Sequence, residues 1–288
     1  MKEKKGISLI VLIVTIIVMI IIAGAVIISL TETNIIDQAE LAVEKHNESE
    51  LQAAASMAYS NWLLEEKTGK NPGHVQNYIR NELIRQNVAT WEDFSKWYIT
   101  PTGGIEEIDQ EAFTLMLNIP EDNYMFSMRI GTDGGYNIDW GDNVVEKEQV
   151  VQEIYHIYDK KGIYEVKITG NCDMFSNNVG DAKEIFAIKS WGNVGLIYNY
   201  MYGLLLEYIA VPNENSFTSL DTFMLMDVPI QEIPDYLFKN CDNLKQIDFS
   251  LCPNLTSIPT NIFDGISQEK VSNIEKIFPE GVEVPSNW

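Results

Sequence analysis

The hydrophobic positions of this chain change period three times along its length. Residues 7–30 carry no charge, and only Ser8, Thr15 and Ser29 interrupt the run with hydroxyls. A hydrocarbon core of roughly 30 Å takes about 20 apolar residues as a helix, which satisfies every backbone donor internally. The run therefore predicts a membrane-spanning helix. Beyond it Leu51, Ala55, Ala58 and Trp62 keep a helical spacing until Lys-Thr-Gly-Lys-Asn-Pro-Gly at 67–73 breaks it, so the anchor continues as a stalk. Two further helical patterns follow, Ile79 with Leu83 and Ile84, then Trp91 with Phe94 and Trp97, the second capped by Thr90 and Asp93. From Phe113 the period becomes two. FTLMLNI, MFSMRIG, YNIDWG and IYEVKITG are short, rich in β-branched and aromatic residues, and bounded by Pro, Asp, Asn and Gly. In the last of these Tyr164, Val166 and Ile168 alternate with Glu165, Lys167 and Thr169, the mark of a strand with one buried face.

The final third repeats. Leu220-x-x-Phe223-x-Leu225 with Ile230-x-x-Ile233-Pro234-x-x-Leu237-Phe238 recurs as Leu244-x-x-Ile247-x-Phe249 with Leu255-x-x-Ile258-Pro259-x-x-Ile262-Phe263, a period of 24 residues. A period of this length lies in the range where each repeat supplies one short strand and a returning segment. Tyr198, Tyr200 and Tyr202 alternate just upstream, which would place them on one strand face. Core packing is the ordinary use of such a trio, and exposed aromatics on the repeat surface are where binding would be sought.

Composition narrows the function. Asp and Glu number 42 against 20 Lys and Arg, a net charge of -22, which repels phosphate backbones and excludes nucleic acid as a partner. Lys2, Lys4 and Lys5 precede the apolar run and favour its N-terminal end on the cytoplasmic side, so the remainder lies outside. Cys172, Cys241 and Cys252 are too few for a disulfide framework; Cys241 and Cys252 either pair or sit as buried thiols. Neither a Gly-x-Ser-x-Gly elbow, a His-Glu-x-x-His helix nor a phosphate loop occurs, so the reading is not an enzyme, with an exported hydrolase as the remaining catalytic alternative. His46, His74 and His156 have no metal-ligand spacing, and no cofactor is expected. Asp139 and Asp142 are read as turn residues and not as calcium ligands, since that cation takes six or more oxygens.

Three resemblances sharpen this picture. The segment KEKKGISLIVLIVTIIVMIIIAGAVIISL resembles the class III leader and first helix of type IV pilins. That implies a cut by prepilin peptidase after Gly6 and a mature chain beginning at Ile7. Val11 stands where major pilins commonly carry Glu, a departure that points to a minor or tip-like pilin. Tyr136-Asn-Ile-Asp-Trp140-Gly141-Asp142, followed by His156, Tyr158, Gly162 and Tyr164, is similar to the motif set of PKD-type immunoglobulin-like β-sandwiches. The phrase IPDYLFKNCDNLKQIDFSLCPNLTSIPTNIF resembles BspA-type leucine-rich repeats of bacterial surface proteins. The expected fold is multidomain α+β: a leader over 1–6, a transmembrane and stalk helix over 7–66, a helical connector over 67–110, a small PKD-like sandwich over 111–170, and a short leucine-rich-repeat solenoid with a C-terminal cap over 171–288.

The expected function is a single-pass, membrane-anchored surface protein with its C-terminal part outside the cell. As a pilin-like or minor pilus subunit it would present a binding or adhesion head, with membrane lipid, prepilin peptidase and other pilins as partners and an extracellular protein or glycan as ligand. The alternative is a signal-anchored adhesin or scaffold that never polymerises. Intact-mass and N-terminal analysis of the chain from its native membrane is expected to give a mature protein starting at Ile7; a retained Met1 would select the alternative.

Overall fold

The computed structural model describes residue 19 and residues 35–150, 152–177 and 183–286. Gly6, Ile7, Val11 and the predicted membrane-spanning run lie outside the described residues, apart from Met19. None of the described helices is long and apolar enough to cross a membrane. Contacts divide the chain into one unit over 1–52 and a second over 53–288. Helix α1 (Ile35–Lys67) runs from the first into the second, where Ala55 and Ala58 are buried, and it ends at Gly69 in a left-handed turn.

The second unit is mostly β. Strands β1 (Trp97–Ile99) and β2 (Ile105–Glu107) form a small hairpin. The remaining strands are β3 (Phe113–Ile119), β4 (Tyr124–Gly131), β5 (Tyr136–Asp139), β6 (Val145–Gln149), β7 (Glu153–Tyr158), β8 (Gly162–Gly170) and β9 (Met174–Ser176). They continue with β10 (Ile185–Trp191), β11 (Tyr198–Tyr202), β12 (Tyr208–Ile209), β13 (Thr222–Met226), β14 (Gln246–Asp248) and β15 (Glu275–Ile277). One sheet has six strands in the order β12-β10-β3-β8-β5-β6, and the other has seven in the order β15-β14-β13-β11-β9-β4-β7. Two short helices complete the unit: α2 (Val75–Arg85), which buries Ile79 and Leu83, and α3 (Gln268–Asn273), capped by Ser267.

This architecture corrects the expectation of a multidomain α+β chain with a separate sandwich and a solenoid. No boundary falls near residue 170: β10 pairs antiparallel with β3, and β9 pairs antiparallel with β4. The repeat strands extend a sheet that begins with β7 and β4, so the repeats make no solenoid of their own. The physical reason is edge and core economy. A ladder starting at β9 would leave open backbone groups, and β4 satisfies them. A sandwich of so few strands would have a thin core, and sharing one with the repeats deepens it.

The 24-residue interval of the sequence becomes a strand offset. Met174 pairs with Tyr198, Tyr198 with Thr222, and Thr222 with Gln246, all in parallel register. Phe175, Phe223 and Ile247 then point inward together, and the apolar positions of the repeat, from Leu220 to Phe263, are buried. Asn243 and Asn254 donate from Nδ2 to the carbonyls of Thr218 (2.8 Å) and Pro229 (3.2 Å), stitching successive returning segments. All three cysteines are free and buried, so Cys241 and Cys252 do not pair.

The two sheets meet through aromatic rings. Phe113 on β3 lies edge-on to Phe175 on β9 at 5.0 Å and stacks on Trp191 at 5.6 Å. Trp191 in turn meets Phe217 at 4.9 Å and Phe223 at 5.6 Å, and its Nε1 donates to the Ala210 carbonyl at 2.9 Å. Gly192 follows with φ of 62°, and a Cβ there would come within 2.4 Å of the Ala112 carbonyl carbon, so only glycine lets the chain turn beside β3. The connector also differs from its expected form: Trp91, Phe94 and Trp97 do not share a helix. Glu92–Ser95 is one 3-10 turn, after which Trp97 pairs with Glu107 in the hairpin. Thr90 and Asp93 are bonded, Thr90 N and Oγ1 donating to Asp93 Oδ2 at 2.7 and 2.8 Å, but the residue capping the 3-10 turn is Trp91, which makes no side-chain cap bond.

Because Trp191 serves both sheets, Trp191→Ala is expected to destabilise the protein by about 3–5 kcal/mol. Calorimetry and tryptophan fluorescence should show the 111–170 and 171–288 segments melting in one transition; two separated transitions would contradict the shared core.

Candidate binding surface

The motif residues of the sandwich form a closed structural cluster. Trp140 is fully buried and stacks on His156 with centroids 4.6 Å apart and planes 8° apart. His156 Nε2 lies 2.7 Å from Asp142 Oδ2, while Asp142 Oδ1 accepts from the Val144 amide at 3.1 Å. Asp139 Oδ1 accepts from the Gly141 amide at 2.9 Å. Gly141 has φ of 79°, and a Cβ would meet the Glu165 carbonyl oxygen at 2.6 Å. Tyr158 donates its hydroxyl proton to the Trp140 carbonyl at 3.0 Å, and its ring lies 4.3 Å from that of Tyr164, whose hydroxyl donates to the Lys160 carbonyl at 2.7 Å. Gly162 opens β8 and brings Tyr164 under this group. Asp139 and Asp142 spend their carboxylates on turn amides and a buried histidine, which is structural work. Among the described residues no group of three His, Cys, Asp or Glu converges to hold a metal ion.

The outer face of the seven-stranded sheet is different in kind. Phe175 and Phe223 flank Asn199 in the ladder and turn inward, so the register buries Asn199 and Met201 and sends Tyr198, Tyr200 and Tyr202 outward. The tyrosine trio thus leaves the core, contrary to its ordinary use. Tyr198 and Tyr200 stack with centroids 6.1 Å apart and planes 6° apart. Tyr198 is 38 % exposed and Tyr202 45 % exposed. Burial and then the neighbouring Tyr198 push the Tyr200 phenol up, so it stays a neutral donor through the physiological range. The end of β11 is fixed by a buried amide: Tyr202 N donates to Asn177 Oδ1 at 2.7 Å, and Asn177 Nδ2 donates back to the Tyr202 carbonyl.

Around the tyrosines the same face carries half-buried Met174, Met224 and Met226. Toward its far edge Met125 pairs with Ile157 and Ser127 with Tyr155, and Met125, Ile157 and Tyr155 are all exposed. Arg129 lies between the two apolar areas with Nε 3.8 Å from Glu153. Lys245 pairs with Asp221 beside Tyr198, and that hydrogen bond holds its ammonium above the usual range. Tyrosine, methionine and arginine are the residues enriched where proteins meet partners, and this face carries them in two areas with Arg129 between. Among the described residues the chemistry this face offers is contact and hydrogen bonding from phenols. No family model, curated protein or solved structure matches the chain.

The tyrosines of the motif cluster generate a pH prediction. In the unfolded chain phenols ionise near pH 10. In the folded chain burial pushes Tyr136 up to about 12 and Tyr158 higher still. Raised folded values make a stability contribution that is full below about pH 10 and is lost as pH rises through them. Tyr158→Phe is expected to cost about 1 kcal/mol at pH 7, since the Trp140 carbonyl loses its donor. Above pH 10 its stability should fall less steeply than that of the parent in urea titrations; an unchanged slope would show that Tyr158 does not resist ionisation.

Proposed function

We propose that the protein is a pilin-like, membrane-anchored surface protein whose β-rich head binds an extracellular partner through the outer face of the seven-stranded sheet. The observation that carries this reading is the outward column Tyr198, Tyr200 and Tyr202, held rigid by a ladder in 24-residue register. What supports the anchor is the charge-free run of residues 7–30 behind three lysines. What supports binding over catalysis is the chemistry on display. The buried histidine and carboxylates are consumed by structural bonds, whereas phenols and thioethers are left at the surface. An extended sheet face of this make-up fits a protein partner, because its aromatic anchors are spread over several strands and not gathered in a cleft.

The reading in which the anchored chain never polymerises keeps one specific support, Val11 at the position where filament-forming pilins carry a carboxylate. Both readings place the same face toward the outside.

The test uses cells carrying the full-length chain and a panel of immobilised extracellular proteins and glycans. Replacing Tyr198 and Tyr202 together by Ser is expected to leave the melting temperature nearly unchanged, since both are exposed, and to weaken adhesion about tenfold or more. Adhesion retained within twofold, or no adhesion of the parent to any member of the panel, would overturn the proposal.

A further inference from the structure

A groove of about 460 Å³, with none of the β11 tyrosines in its lining, lies where three stretches distant in sequence meet: the 3-10 turn, the segment after β12, and the turn after β13. The volume falls in the usual range for small-ligand sites, roughly 300–1,000 Å³. Cross-links hold its walls. Asn213 Nδ2 donates to the Gln110 carbonyl at 3.0 Å, and Lys239 Nζ donates to Glu92 Oε1 at 2.7 Å.

Two aromatic residues line this groove, Trp91 and Tyr236, the second with the Nζ of Lys239, also a lining residue, 5.3 Å from its ring centroid. Behind Trp91 sits Arg80, only 1 % exposed, with its guanidinium carbon 4.8 Å from the indole centroid and Nη2 donating to Asn77 Oδ1 at 3.0 Å. A desolvated cation on the ring fixes the indole before any ligand arrives. Tyr236 has φ of 62°, a left-handed conformation that bulky residues rarely adopt, and the turn keeps it there through the Lys239 amide, which donates to the Tyr236 carbonyl at 2.9 Å. Strain of this kind, held by its surroundings, clusters at ligand sites.

The remaining lining is polar. Gln110, Asn213, Asn240 and Ser95 supply amides and a hydroxyl, while Val211 and Pro212 add aliphatic surface. The charged lining residues are three carboxylates and two lysines, nearly balanced in a chain of net charge -22, and one of those lysines is engaged by Glu92. The balance disfavours an anionic ligand, which would meet more carboxylates than free cations. Asn213 already bonds the Gln110 carbonyl and the Asn215 amide, and Ser95 the Glu92 carbonyl, so the amides a purely apolar ligand would cover are those of Gln110 and Asn240. Rigid aromatic surfaces beside hydrogen-bonding amides match a molecule with a C–H face and a rim of hydroxyls. We propose that this groove is a binding site for a neutral saccharide, with Trp91 and Tyr236 covering the sugar face and the amides meeting its hydroxyls.

The experiment titrates the full-length chain in detergent with maltotriose, chitotriose and cellotriose, following tryptophan fluorescence and the heat of binding, with sialyllactose as the anionic comparison. Saturable binding of at least one neutral trisaccharide is expected, weakened about tenfold by Trp91→Ala. Tyr236→Gly relieves the left-handed residue, so its melting temperature should be equal to or above the parent's while the affinity falls in the same way; this variant separates a lost wall from a lost fold. Tyr198→Ser should bind the sugar as the parent does, which keeps the groove distinct from the sheet face. The proposal is overturned if no neutral trisaccharide binds, if sialyllactose binds more tightly than all of them, or if Tyr236→Gly binds undiminished.

Discussion

The stack of Phe113 on Trp191, with Phe175 and Phe223 set edge-on around it, is the contact through which the two large sheets become one body. Each ring comes from a different strand, β3, β9, β10 and β13, and those strands belong to both sheets. Aromatic pairs at these spacings gain from their quadrupoles as well as from burial, and they tolerate only a narrow set of positions. Fixing Phe175 and Phe223 inward fixes the parity of every residue between them. The outward direction of the β11 tyrosines therefore follows from the rings on the neighbouring strands more than from anything in β11 itself.

That parity decides what the protein shows to solvent. The inner face takes up the residues that sequence motifs emphasise: Trp140, His156 and Tyr158 are closed into a cluster of stacked rings and short hydrogen bonds. The outer face is left with phenols, thioethers and scattered ion pairs on a rigid ladder. Rigid aromatic contact area costs little conformational entropy on binding, which is why such faces recognise partners efficiently. The strong negative charge of the chain opposes nonspecific association between copies.

Several elements were legible in the residues before the structure. The strands β3, β4, β5 and β8 coincide with the period-two runs, because half-buried strands must alternate. The helix Val75–Arg85 follows from Ile79 and Leu83, and the 24-residue interval reads directly as the offset between paired strands. The connector departs from its helical spacing where a competing partner intervenes. Trp97 sits at a helical interval from Phe94, but the strand Ile105–Glu107 offers it backbone pairing, and a hairpin satisfies more donors than a third helical turn. The groove had no signal at all, since Trp91, Asn213 and Tyr236 become neighbours only through folding.

By itself the sequence determined the charge-free N-terminal run, the alternation of the middle strands, the repeat interval and the turn chemistry at Asp139, Gly141 and Asp142, because each of these is set by residues close together along the chain. Only the tertiary structure decided that the sandwich and the repeats share one core, that Cys241 and Cys252 stay apart as buried thiols, and that Tyr198, Tyr200 and Tyr202 face outward. Those outcomes depend on which strand lies beside which, and pairing is settled by burial summed over distant segments, a quantity that no local window of sequence contains.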